Sequence, residues 1–386
     1  MRWAALVAGV LLLAITLIDL FTTMVMPRPA RGRWRLTRLL FLALFRPYRR
    51  LVLRLRSLQT RERALAVFAP AWVFILLAMW SALLMLAYSL LLWSAPFVEG
   101  VHPPGGGGVD FLDTLYFSGS SLFTLGFGDV LATGATRIVI VLEGATGLAL
   151  VALVISYLPT LYSAFNRREV HILLLDARAG APPSGPELVR RACQEGMTED
   201  LALFFREWER WAADLLETHL SYPALALFRS PHDNENWVTA LGAVLDAASI
   251  VLSVKEHQGP VRGAAEAFHR TGTHAVEDIF QFFRLDPRAA VIDRSEFEAV
   301  VNDLRLRGFP TRGMDEAWEE FQRRRAAYGP RLDAIAVMLV APPSQWIGDR
   351  STLPLTAGHR TALAARARSR SDRPSRRERR KVGTGA

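Results

Sequence analysis

Cysteine is nearly absent from this chain. Cys193 is the single one in 386 residues, so no intrachain disulfide, zinc cluster or iron–sulfur site can be assembled from cysteines. It reads as a small apolar packing residue. Also missing is a Gly-x-Gly-x-x-Gly unit behind a strand, which removes the dinucleotide-binding reading of any domain. No internal repeat of roughly 20 to 50 residues occurs. Lysine and arginine are lacking throughout residues 94–136, where Glu99, Asp110, Asp113 and Asp129 supply the charge. By the positive-inside rule that loop faces outward.

Apolar residues, by contrast, are abundant. A hydrophobic fraction of 51% over this length is too apolar for a wholly soluble protein and too long for one ordinary domain. A membrane part and a soluble part are expected. Residues 4–26 form a run of about 34 Å at ~1.5 Å per residue, enough to cross a hydrocarbon core. A cleaved signal peptide fits it less well, since the run is long, lacks a small-x-small cleavage site and has most arginines after it. Residues 64–93 and 138–165 are further spans. Asp19 lies inside the first run, where a carboxylate needs a partner, and a hydrogen bond to a neighbouring helix is the reading preferred over a role in conduction. Trp72 and Trp93 are read as markers of the two membrane interfaces.

The formal charge of +9 follows the same layout. Between Pro27 and Arg63 stand twelve arginines against the single acid Glu62. This placement favours lipid headgroups, anionic ones included, over nucleic acid. Leu36, Leu39, Leu40, Ala43 and Leu44 recur at helical spacing there, so part of the segment is expected to lie flat at headgroup level. Residues 366–386 are rich in arginine and serine without apolar periodicity and read as a disordered basic tail.

The stretch that organises the chain is Thr124-Leu125-Gly126-Phe127-Gly128-Asp129. Successive carbonyls can point one way only if alternate residues visit left-handed backbone angles, which glycine tolerates. Rings of such carbonyls replace the water shell of a potassium ion, given four copies of the loop. Thr124, Leu125, Gly126, Phe127 and Gly128 are therefore the expected ion-binding residues. The Thr124 hydroxyl adds a further oxygen, and Leu125 and Phe127 pack outward against a pore helix. Asp129 hydrogen-bonds behind the outer mouth. Upstream, Asp110 caps a short helix over residues 111–122 whose carbonyl end favours a cation, and Ser120 in its last turn is read as filter support.

The hexapeptide resembles the potassium-channel signature Thr-Val-Gly-Tyr-Gly-Asp, and its Gly-Phe-Gly-Asp ending is similar to pore loops of two-pore-domain potassium channels. It departs at Leu125, a mild apolar change, and at Phe127, which lacks the hydroxyl that can brace a filter. The resemblance covers roughly residues 64–166 and implies a prokaryotic single-pore-loop channel. Gly147 stands where the inner helix of similar channels often carries a glycine that allows bending and close packing. Glu143, one turn earlier, is a candidate hydrogen-bond partner for the back of the pore helix or else a packing acid beside Arg137. Pro159 should kink the inner helix near its far end.

The expected fold class is an all-α membrane protein: three transmembrane helices with a re-entrant pore helix and filter, plus an all-α cytoplasmic domain. The divisions are a first transmembrane helix (1–26), a basic interfacial segment (27–63), a pore domain (64–166), a linker (167–183), a helical domain (184–341) and a basic tail (342–386). Ser184 with Glu187 and Ser295 with Glu298 read as capping boxes, and helices are expected over residues 201–220, 237–254 and 297–306. His232 with Asp233, and His269 and His274 with Glu277, are the only constellations with metal-binding character. Gly272 argues for a turn between the latter two histidines, and a metal site is not the favoured reading.

The function read from the sequence is a passive potassium channel of the bacterial inner membrane, a homotetramer with its C-terminus in the cytoplasm, needing no cofactor beyond K+ as permeant ion. It is not an enzyme. The alternatives are a weakly selective cation channel, a membrane-tethered signalling or scaffold protein with a silent pore, and a hydrolase using His232 and Asp233. The ligand of the helical domain and the gating stimulus are not legible.

Overall fold

The computed structural model describes residues 1–26, 36–55, 57–105, 108–231, 235–254, 259–288 and 292–347. Residues 348–386 of the expected basic tail, His232, Asp233 and the arginines of residues 27–35 lie outside these, while Trp346 and Ile347, expected in the tail, are buried in the bundle. Among the described residues the chain is almost entirely helical.

Two long apolar helices, α1 (Arg2–Met24) and α3 (Leu58–Leu92), pack side by side. Asp19 ties them: Trp80 Nε1 donates to its Oδ2 at 3.0 Å, and Thr37 Oγ1 donates to the same oxygen at 2.6 Å. The buried carboxylate is thus the structural partner of two neighbouring helices. Gly9 keeps α1 and α3 close, since a Cβ there would sit 3.0 Å from the Ala87 carbonyl oxygen.

The amphipathic segment forms α2 (Leu36–Val52). Its apolar face meets the start of α3 through rings: Phe45 lies 5.1 Å from Phe68, and Phe41 lies edge-on to Trp72 at 5.4 Å. Trp72 is therefore buried against α2. Trp93 instead packs edge-on against Phe111. Because Ser57 caps α3, accepting from Thr60 N at 3.4 Å, that helix starts a turn and a half before the expected span and carries Arg61, Glu62 and Arg63 within it.

After α3, a two-residue strand β1 (Val101–His102) pairs antiparallel with β2 (Leu131–Ala132), and the helix α4 (Phe111–Leu122) lies between them. The all-helical expectation omitted this ladder. Two residues per strand leave no period to read in the sequence.

The helix α5 (Thr136–Ala179) then runs for 44 residues without interruption through Gly147 and Pro159. Its first half packs on α4. Its second half enters a helical bundle of α6 (Gly185–Gln194), α7 (Leu201–Ser221), α8 (Trp237–Val254), α9 (Pro260–Phe283), α10 (Arg294–Leu306), α11 (Met314–Ala326) and α12 (Gly329–Leu339). α1, α3, α5 and α8 are all long and apolar enough to cross a membrane, yet every residue of α8 is buried inside the protein. It is the core of the bundle. At about 1.5–3 kcal/mol for each fully buried Val, Leu or Ile, α8 supplies much of the bundle's stability.

Two expectations in the bundle are corrected. α10 begins at Arg294 behind Asp293, so Ser295 is inside the helix, and Glu298 pairs with Arg294 at 2.7 Å instead of closing a capping box. α9 has no turn at Gly272. The glycine lets Leu245 of α8 approach, with 3.0 Å between its Cδ2 and where a Cβ would stand. The Ser184 cap is present, its Oγ accepting from Glu187 N at 3.3 Å, while the Glu187 carboxylate is taken by Arg190 and Arg191.

Candidate functional site

The site is built where α4 ends. Asp110 accepts from Phe111 N while the Asp113 carboxylate accepts from Asp110 N at 2.8 Å, a reciprocal cap that fixes where α4 starts. The final turn uses its own carbonyls to hold the loop that follows. Ser120 O accepts from Leu125 N at 2.8 Å and from Gly126 N at 3.4 Å, and Ser121 O accepts from Thr124 N at 3.0 Å. Ser120 thus supports the loop through its backbone.

In that loop the backbone alternates. Thr124, Gly126 and Gly128 have φ of 55°, 58° and 79°, whereas Leu125 and Phe127 between them do not take positive φ. A left-handed angle at every second residue turns successive peptide planes so that their oxygens face one side. Thr124 is the costly member, because a β-branched residue is rarely seen there. Residues 124–129 are all exposed in the single chain, with Leu125 at 59% and Phe127 at 64%.

Phe127 does reach α4. Its ring stacks on Tyr116 with centroids 6.1 Å apart and planes 9° apart, and Tyr116 Oη donates to Asp129 Oδ2 at 2.9 Å. The other Asp129 oxygen accepts from Val130 N at 3.0 Å. Tyr116 therefore returns, from the helix, a hydroxyl that Phe127 lacks. The sequence reading missed it, since nothing in the periodicity of α4 marks which aromatic will face the loop.

Behind α4, Ser118 Oγ donates to Glu143 Oε1 and also lies 2.9 Å from Met85 O, so one hydroxyl joins α3, α4 and α5. Glu143 is fully buried, and its second oxygen has no partner. Glu143 thereby holds the back of α4, and Arg137 turns away to the Ala132 carbonyl at 3.0 Å. Gly147 touches the end of α4 directly. A Cβ there would stand 1.8 Å from Leu122 O and 2.8 Å from Leu122 C, so only glycine permits the contact. Ser120, Glu143, Gly147 and the loop are thus one assembly. Pro159 is not part of it, being about 18 Å further along α5 at ~1.5 Å per residue.

No metal centre forms among the described residues. His269 is buried edge-on to Tyr328, and burial pushes it down to about 4, so its ring is neutral. His274 lies 3.7 Å from Asp278 one turn on.

With this geometry in place, comparison with known proteins is informative. Residues 64–163 match a family described as an ion channel, a stretch that contains α4, the loop and the packed half of α5. Over 290 residues the chain is 24% identical to the uncharacterized membrane protein YdjJ of Bacillus subtilis (strain 168), covering 70% of this chain and 80% of that protein. No solved structure matches. The chain is a membrane protein, and its likeness to the ion channel family supports ion channel activity centred on residues 64–163.

Proposed function

We propose that the protein is a potassium-selective channel in which four copies of the loop surround one ion path. The observation that carries this reading is the alternation of left-handed backbone at Thr124, Gly126 and Gly128. Four such loops present stacked rings of carbonyl oxygens from Thr124, Leu125, Gly126 and Phe127, which is how a dehydrated potassium ion is held. The exposure of the whole loop in one chain is consistent with a face that other copies complete.

α4 is the re-entrant pore helix, α1, α3 and α5 are the spanning helices, and α5 lines the pore. The loop faces outward and the bundle faces the cytoplasm of a bacterial cell. Gating operates at the filter, at Gly147 or at the Pro159 end of α5. The bundle acts on the last of these because it grips α5 beyond Pro159.

The test is flux in liposomes containing the purified full chain. Potassium and rubidium are expected to pass and sodium to be excluded. Equal sodium flux overturns selectivity, and no flux of any cation across a range of voltage and pH overturns the channel reading. The Tyr116–Asp129 bond gives a sharper form of the same experiment. Tyr116→Phe removes the hydroxyl that donates to Asp129 Oδ2, so it is expected to lower the potassium preference several-fold with little change in potassium flux. A reversal potential identical to the parent's would show that this bond does not hold the filter.

A further inference from the structure

Where the apolar helices meet the bundle there is a cavity of about 880 Å³. One wall comes from the membrane part, with Phe41, Phe45, Trp72 and Leu76. The other comes from the bundle, chiefly the chain after α9 and one face of α12. Its charge is one-sided: Arg38, Arg46 and Arg49 from α2 and Arg284 and Arg288 from the bundle, against Asp278 and Asp286.

Arg49 and Arg288 come from opposite walls and face each other as like charges. Burial and the charge of Arg288 hold Arg49 below the usual arginine range. Arg49 Nη2 donates to Val337 O at 2.9 Å, but its Nε is buried with no partner at all. Arg288 is 55% exposed at the cavity mouth and lies 3.7 Å from Asp333. The buried Arg49 Nε without an acceptor is costly, and guanidinium forks match phosphate oxygens. The cavity is far larger than a free phosphate needs, and the remaining wall is aromatic and aliphatic. It also lies level with the end of α1, with Thr22, Thr23 and Met26 in its lining, and an apolar span ends where headgroups meet acyl chains.

We propose that this cavity binds one anionic phospholipid, its phosphate held between Arg49 and Arg288 and an acyl chain lying along Phe41, Trp72 and Leu76. The lipid bridges α2 and the bundle, so the charge of the surrounding membrane sets how firmly the bundle is held beneath the pore. The inference depends on membrane placement alone and stands whether or not the loop conducts.

The experiment is thermal melting of the full chain in neutral detergent, titrated with phosphatidylglycerol, phosphatidylcholine or inorganic phosphate. Phosphatidylglycerol is expected to raise the melting temperature by several degrees while the other two do not. In Arg49→Gln/Arg288→Gln the concentration giving half that shift should rise about 30-fold, the loss expected for two cations near a headgroup. Arg50→Gln, which removes an exposed charge from the same helix, should respond as the parent does. An equal response to phosphatidylcholine, an equal response to inorganic phosphate, or an unchanged titration in the double variant would each overturn the proposal. If the double variant melts early without lipid, native mass spectrometry of retained phosphatidylglycerol decides. Undiminished retention overturns the site, and lost retention with Arg49→Lys retaining lipid supports it.

Discussion

A Gly126→Asp protein is expected to fold as the parent does and to pass no detectable potassium. Gly126 has φ of 58°, and a Cβ placed on it meets no heavy atom within 4 Å in the chain. Aspartate is among the few residues that visit left-handed angles as single positions, and the strain is at most about 1–2 kcal/mol. Stability should therefore hardly move, with melting within about 8 °C of the parent. The effect falls instead on the ion path. In a four-fold assembly, four carboxylates enter the ring where only carbonyl oxygens fit, where they repel one another and block passage. Liposome flux beside a circular-dichroism melt separates these terms. A variant that melts like the parent and still conducts would remove Gly126 from the path, and with it the carbonyl-ring reading.

The contrast with Gly147 shows why two glycines of one site differ in what the sequence reveals. Gly126 sits in a two-residue rhythm with Gly128, and that rhythm is itself a backbone statement that can be read without coordinates. Gly147 is conformationally ordinary and is needed because Leu122 presses on it. Its position could be taken only from resemblance. Asp110 was similarly open to reading at the start of α4, because a cap is a local interaction between neighbours in sequence. For Glu143 the sequence left two readings open, a hydrogen bond to the back of the helix at 111–122 or packing beside Arg137, and neither named Ser118.

What escaped the sequence is contact between elements far apart in the chain. Tyr116 braces Asp129, Trp72 turns inward to Phe41, and Leu245 occupies the notch at Gly272. Each depends on which faces the folded helices bring together, and no local pattern encodes that. The misplaced cap at Ser295 has a simpler cause. Asp293 stands two residues earlier and starts the helix first, and Ser-x-x-Glu spacing also arises by chance inside a helix.

The same kind of long-range contact fixes the bundle to α5, and its removal should have the largest effect on stability. Arg168 on α5 is 2% exposed and has its charge fully engaged. Its guanidinium pairs with Glu169 at 2.8 Å and donates to the carbonyls of Leu225 at 2.9 Å and Phe228 at 2.8 Å. Burial and the adjacent Arg168 push His219 well below the usual histidine range, so the ring is neutral. Its Nδ1 donates to Leu215 O at 2.7 Å, leaving Nε2 to accept from Arg168 at 3.3 Å. Trp211 Nε1 closes the ring of contacts on the Arg168 carbonyl at 3.2 Å. Nearby, Arg229 joins the Glu62 carboxylate of α3 at 3.1 Å, so both long helices are tied to the bundle. In Arg168→Met the Glu169 carboxylate and two buried carbonyls lose their partner together. Breaking a buried pair in this way costs about 3–5 kcal/mol, a fall in melting temperature of about 6–20 °C. Adding Glu169→Leu should recover part of the loss, because the stranded carboxylate is then gone while the carbonyls remain unpaired. A single variant melting within about 2 °C of the parent would show that this latch carries no load. The bundle's hold on α5 would then rest on the buried Ile172, Leu175 and Ala179 packed against α6, α7 and α8, with Arg229 tying α3 separately.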